Sequence, residues 1–147
     1  MTRILFDTNI LLDVLLDRRQ FIDLSLQLWN LIEARKCEGL MAAHAVTTVH
    51  YLVVRSHSER IAAQAIPRML RIFDVATVDS VVIHAAMRSA YRTAPEVTGT
   101  AEDFEDAVTA AAAETAHCDL IVTRDPKGFR RSPVLAVAPE EALRLIG

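Results

Sequence analysis

Two apolar runs, each too short to be a helix, constrain this chain most. Arg3-Ile-Leu-Phe6 stands near its start and Asp119-Leu-Ile-Val-Thr123 near its end. The first leads straight into Asp7, and the second leads, after Arg124, into Asp125. Short apolar runs bounded by turn-forming residues read as buried strands. Helical stripes fill the interval. Ile10, Leu11, Val14 and Leu15 mark a helix after Asp7, and Phe21 to Lys36 continues as a helix with Leu24, Leu28, Leu31 and Ile32 on one face and Gly39 as its stop. Gly39 to Ala42 is a second strand. His44 to Arg55 is helical, as is Ser58 to Arg71, where Pro67 predicts a kink or a division. Phe73 to Val78 alternates as a half-buried strand does, and Asp79 caps a helix over Ser80 to Tyr91. Thr93 to Thr100 reads as a loop, Glu102 to His117 as a helix, Arg124 to Ser132 as a loop and Val134 to Val137 as a last strand. Pro139 opens a terminal helix.

Strands alternating with helices predict an α/β fold in three α/β/α layers, with a mainly parallel central sheet of four to five strands. Functional groups in such sheets collect beyond the carboxyl ends of the strands. The residues to watch are therefore those just after Phe6, Ala42, Val78 and Val122.

With 147 residues, no internal repeat and no linker-like tract, residues 1–147 are expected to form one domain. Hydrophobic residues make up 52% and charged residues 24%, which excludes wholesale disorder. No apolar stretch is long enough for a membrane span. Two cysteines, Cys37 and Cys118, make neither a disulfide framework nor a zinc spacing and read as small buried fillers. With no signal-peptide pattern, a reducing cytoplasm is the expected location. The net charge of −3 argues mildly against a dedicated nucleic-acid binder, unless grouped acids are neutralised by cations.

Grouped acids are what the fold predicts. Asp7 and Asp125 follow strands, while Glu102, Asp103, Glu105 and Asp106 crowd the first turn of the Ala-rich helix. Acids at a helix start complement the macrodipole, which accounts for Glu102 and Glu105. Asp106 fits that account less well, because its neighbours Ala107, Val108, Ala110 and Ala111 are apolar. Three ends bringing an Asp to one sheet edge make a cluster of like charge, unfavourable unless protonated or neutralised. A hard divalent ion suits such an oxygen site, and two ions can stabilise the attacking and leaving oxygens of a phosphodiester.

Phe6-Asp7-Thr8-Asn9-Ile10-Leu11-Leu12-Asp13-Val14 resembles the opening motif of PIN domains. Asp103-Phe104-Glu105-Asp106-Ala107 and Ile121-Val122-Thr123-Arg124-Asp125 resemble their third and fourth acidic motifs. Order, spacing and length agree over essentially the whole chain. The resemblance implies an α/β/α fold with an acidic pocket that binds Mg²⁺ or Mn²⁺ and cleaves single-stranded RNA. An activated water attacks in line there and leaves a 3′-hydroxyl and a 5′-phosphate. Many bacterial members, the VapC toxins, pair with a small antitoxin, and the family commonly forms homodimers. Carried over by motif, Asp7, Asp106 and Asp125 are the catalytic metal-site acids, with Asp103 as an extra acid. Thr8, Asn9 and Thr123 are expected to orient them by hydrogen bonds. One departure stands out. The family places a Glu on the helix after the second strand, and Thr48 occupies that position here, in a segment without any acid. Asp103 or His50 are the candidates to compensate. A subgroup of short bacterial PIN proteins resembles this chain in that respect.

Arg124, Lys127, Arg130 and Arg131 form a basic loop beside the fourth acid, read either as a solvated loop or as a guide for RNA phosphates. Asp13 reads as a structural partner of Arg124, or of Arg18 and Arg19. Leu28 and Trp29 fit either a dimer face or the core. The five histidines form no metal-binding pattern. Two other classes stay open. A phosphatase would want a second Asp where Asn9 stands, and a catalytically degenerate PIN module would bind RNA or a partner protein without cutting.

Overall fold

The two short apolar runs lie side by side at the centre of the molecule. The structure, a computed structural model, describes residues 1–91 and 101–147, the side chains of the second stretch from residue 104 onward. Strand β1 (Arg3–Phe6) pairs in parallel with β4 (Leu120–Val122), Leu5 opposite Ile121 and Phe6 opposite Val122. On its other side β1 pairs with β2 (Glu38–Ala42), which pairs with β3 (Asp74–Ala76), and β5 (Leu135–Val137) closes the far edge beside β4. The order is β3-β2-β1-β4-β5 and every pairing is parallel. Ile4, Leu5 and Phe6 on the middle strand are sealed from water, whereas Val75 and Leu135 on the outer strands are exposed.

Helices flank this sheet in the expected α/β/α manner. They are α1 (Thr8–Leu15), α2 (Ile22–Glu33), α3 (Ala43–Ser56), α4 (Glu59–Ile72), α5 (Ser80–Ala90), α6 (Ala101–Thr115) and α7 (Pro139–Ile146). Within one group α7 packs on α2, α2 on α1, α1 on α3 and α3 on α4. Separately, α5 packs along α6, which lies against β2, β3 and β4. Small buried residues on α6, Ala112 and Ala113 among them, allow that close approach. Among the described residues no helix is long and apolar enough to cross a membrane.

Leu28 and Trp29 belong to the core. Trp29 and Phe6 both meet the Phe73 ring edge-on, with centroids 4.8 and 4.9 Å away. Gly39 is not the helix stop that its position suggests. It lies within β2, where a Cβ would stand 2.6 Å from Ile32 and 2.7 Å from Phe73, so its lack of a side chain is what admits the aromatic cluster. Helix α2 ends three residues earlier than Lys36. Pro67 does not divide α4, which runs unbroken from Glu59 to Ile72. The strand expected over Phe73 to Val78 shrinks to three residues. The loop expected over Thr93 to Thr100 lies outside the described residues.

Candidate active site at the carboxyl edge of the sheet

Because every strand runs the same way, all the carboxyl ends open on one edge. Asp7 is the first residue past β1 and caps α1: the Thr8 N–H donates to Asp7 Oδ1 at 2.9 Å. Its other oxygen accepts from the Thr123 hydroxyl at 2.8 Å. Thr123, wholly buried just past β4, also accepts from the Asp125 N–H at 3.1 Å. One hydroxyl therefore ties two of the expected acids together. Burial raises the Asp7 carboxyl above its ordinary range, against the opposing pull of the Thr123 and Thr8 hydrogen bonds.

Asp106 reaches the same place from α6. Gly128, in the 3₁₀ turn Pro126–Phe129 that follows Asp125, marks the spot. A Cβ at Gly128 would stand 2.5 Å from Asp106 Oδ2 and 3.3 Å from Asp125 Oδ2. Two carboxylates from separate elements thus converge on the space left by one missing side chain. Asp103, the fourth expected acid, has its side chain outside the described residues.

A histidine that the sequence motifs do not single out stands on the first turn of α3 and acts on the Asp7 carboxyl. His44, two residues past β2, has Nε2 3.5 Å from the Thr109 hydroxyl and 4.0 Å from a Glu105 carboxylate oxygen. Thr109 donates to the Glu105 carbonyl, so it accepts from His44 Nε2–H, which leaves Nδ1 as the acceptor nitrogen. Nδ1 is sealed from water and has no partner among the described residues. Burial lowers the His44 pKa, while Glu105 and Asp7 act to raise it. Glu105, assigned above to the helix dipole alone, also acts on the Asp7 carboxyl. The signal for His44 was its place after Ala42, at one of the four expected strand ends. His50 is exposed on α3, and Thr48 directs its hydroxyl to the His44 carbonyl at 3.4 Å.

The supporting residues divide. Thr123 orients the acids through its hydroxyl, Thr8 does so through its backbone N–H, and Asn9 is exposed on the first turn of α1. The basic loop divides too. Lys127, Arg130 and Arg131 are exposed, whereas Arg124 turns inward: its Nε lies 3.1 Å from Asp13 Oδ2 and its guanidinium carbon 3.9 Å from the Phe21 ring centre. Asp13 is completely buried and also pairs with Arg18 at 3.4 Å, the structural role expected of it.

Residues 3–127 match the family model described as the PIN domain. The chain belongs to the PIN-domain family. No curated protein sequence matches it significantly. Among solved structures, this PIN domain is similar to VapBC2 from Rickettsia felis bound to a DNA fragment from their promoter, with a TM-score of 0.71 at 14% identity over 93% of this chain and 98% of that one. It is also similar to a toxin-antitoxin complex from Klebsiella pneumoniae (TM-score 0.63, 23% identity, 92% and 96% covered). VapBC-1 from nontypeable Haemophilus influenzae gives a TM-score of 0.63 at 14% identity, covering 95% and 99%. At these identities the likeness is one of fold.

The donor chemistry of the edge fits a hard divalent ion. Among the described residues no three His, Cys, Asp or Glu side chains gather closely enough to cage a metal. Mg²⁺, however, is commonly held by only one or two carboxylates, with water completing its shell. Asp106 and Asp125 supply such a pair.

Proposed function

We propose that this PIN domain is a metal-dependent endoribonuclease that hydrolyses phosphodiesters of single-stranded RNA, and that it is the toxin of a VapBC-type pair. The observation that carries the reading is the convergence of Asp106 and Asp125 on one point, with Asp7 tied to Asp125 through Thr123. Family membership and the fold shared with toxin-antitoxin complexes support it.

Asp106 and Asp125 would hold Mg²⁺ or Mn²⁺, with Asp7 and Asp103 as further acids. Such an ion would supply Lewis acidity and lower the pKa of a water. The chain's own work is positioning. Thr123 fixes the Asp7 carboxylate and the Asp125 backbone with one hydroxyl, so two acids keep their relative place without reorganising. Lys127, Arg130 and Arg131 offer exposed cations beside the acids, where they draw RNA phosphates toward an otherwise acidic edge. A proteinaceous antitoxin and a second copy of the chain are the expected partners, with the cytoplasm as the expected compartment.

A second reading has its own observation. Thr48 brings no carboxylate to the edge and bonds the backbone instead, so a catalytically degenerate module that binds RNA or a partner is the alternative. Cleavage of labelled single-stranded RNA with Mg²⁺, with Mn²⁺ and with a chelator separates the two. The nuclease reading expects metal-dependent cutting that falls by about 100-fold or more in Asp106→Asn. A folded native protein that cuts no better than that variant would leave the degenerate module.

A further inference from the structure

Arg124 sits in the chain between two residues of the site, and its side chain leaves the site altogether. It passes under the Phe21 ring to reach Asp13. The acid it meets is expensive to keep. Asp13 is fully buried on α1 beside Leu12, and among the described residues its partners are the Ser25 hydroxyl at 3.4 Å and the two arginines. For fastening α1 to its neighbours, well-packed apolar residues generally serve as well as a buried ion pair or better. What a carboxylate adds at position 13 is a grip on the one residue flanked by Thr123 and Asp125. The guanidinium holds that grip by charge, its buried Nε lying 3.1 Å from Asp13 Oδ2 without a hydrogen-bond partner among the described residues, and by stacking on an aromatic face.

The backbone on either side of Arg124 carries the site. Thr123 N–H donates to the Val137 carbonyl at 3.0 Å, which anchors it to β5, and its hydroxyl holds both Asp7 and the Asp125 amide. Beyond Asp125, Phe129 is buried and pins the 3₁₀ turn. Between these anchors, the Asp13 pair is what fixes residue 124. We propose that Arg124 is a positioning residue for the acidic site, acting inward through Asp13 and Phe21 to hold Thr123 and Asp125, and that it is not an RNA contact. The inference rests on the nuclease reading for its activity readout and on the fold alone for its structural one.

Arg124→Lys separates positioning from phosphate contact, because lysine keeps a phosphate-binding charge but loses the planar face that lies on the Phe21 ring. The expected result is a fall of roughly tenfold to 100-fold in kcat, with KM for RNA and its salt dependence unchanged. Mn²⁺ affinity, read by calorimetry, weakens in parallel. Lys127→Ala shows the opposite split: a higher KM, a shallower salt slope and an unaltered kcat. Phe21→Leu removes the stacking while leaving the charges, and gives an intermediate loss in kcat. Should Arg124→Lys keep its kcat while Arg124→Ala raises KM and flattens the salt slope, Arg124 is a phosphate contact and the proposal fails.

Hydrogen exchange of the Asp125 amide, measured without metal or RNA, gives an answer that does not depend on cleavage. Faster exchange by about tenfold in Arg124→Lys, with global stability held constant by denaturant titration, supports the proposal even if the native protein cuts nothing. Unchanged exchange overturns it even if the protein is an active nuclease.

Discussion

Glycine at position 128 is not required by its backbone, since no glycine among the described residues has a positive φ. Its residue is exposed and its turn is short, so an alanine would fold there without strain. What the alanine lacks is room, because its methyl would occupy the place where Asp106 and Asp125 meet. Asp106 gives way more easily than the turn, which Phe129 anchors. Gly128→Ala is therefore expected to turn the Asp106 carboxylate aside and to weaken Mn²⁺ binding by about tenfold, as lost support of a ligand does. The melting point should stay level or rise slightly, because alanine restricts the unfolded chain. Calorimetric titration beside a thermal melt reads both, and undiminished Mn²⁺ affinity would refute the steric argument. Asp7 carries a cost of another kind. With its pKa raised by burial, the folded protein retains a proton that the unfolded chain has already released. That contribution is fully present below the ordinary carboxyl range and is lost as pH rises through the raised value. His44, lowered by burial, acts in the opposite sense as pH approaches neutrality from below. In metal-free protein Asp7→Asn should melt higher than the native chain at neutral pH and lose the falling limb that Asp7 contributes. Scanning calorimetry between about pH 4 and pH 8 measures this. A native-like falling limb in the variant would assign the loss to Asp13, whose pKa burial also raises.

Element boundaries show where sequence patterning stops being informative. Helix α2 was expected to run to Lys36 because no glycine precedes Gly39, yet Arg35 takes the left-handed conformation at φ 58°. The Lys36 N–H then reaches back to the Leu31 carbonyl and the Arg35 N–H to that of Ile32, which closes the helix. Asp17 and His117 close α1 and α6 in the same way at φ 50° and 56°. With these closures made by residues other than glycine, the composition signal for a helix end is absent. By contrast, Asp79 was legible as a cap because its side chain makes the bond, accepting from the Val82 N–H at 3.0 Å. A left-handed conformation costs a side-chain-bearing residue roughly 1–2 kcal/mol relative to glycine. Arg35→Gly should thus recover about 0.5–1 kcal/mol after glycine's greater unfolded freedom is subtracted. A higher urea midpoint at unchanged slope is the expected readout, and a lower midpoint would mean that the Arg35 side chain contributes more than its backbone conformation costs.

At the scale of the molecule, the order of strands and helices was legible because each apolar run carried its own period, and that order alone placed the functional edge. The places of Asp7 and Thr123 at that edge were legible because each directly follows a strand, and that of Asp106 because it lies in the acidic early part of α6. His44 and Glu105 could not, because each depends on a neighbour brought from a distant element: Thr109 for His44 and Asp7 for Glu105. The Asp13 pair was legible as an alternative between Arg124 and Arg18, and the fold brings both to it. Sheet order governs timing as well as geometry. The hydrogen bond from Thr123 to Asp7 joins residues 116 positions apart, and β1 waits between β2 and an empty flank until β4 exists to fill it. A ribosome adds roughly 5–20 residues per second, and domains generally fold as units as they are made. Until β4 is made, Asp7 ends a strand paired on its β2 side alone and lacks its Thr123 partner. Whatever the edge does chemically, it is complete only once the chain has been made as far as Asp125.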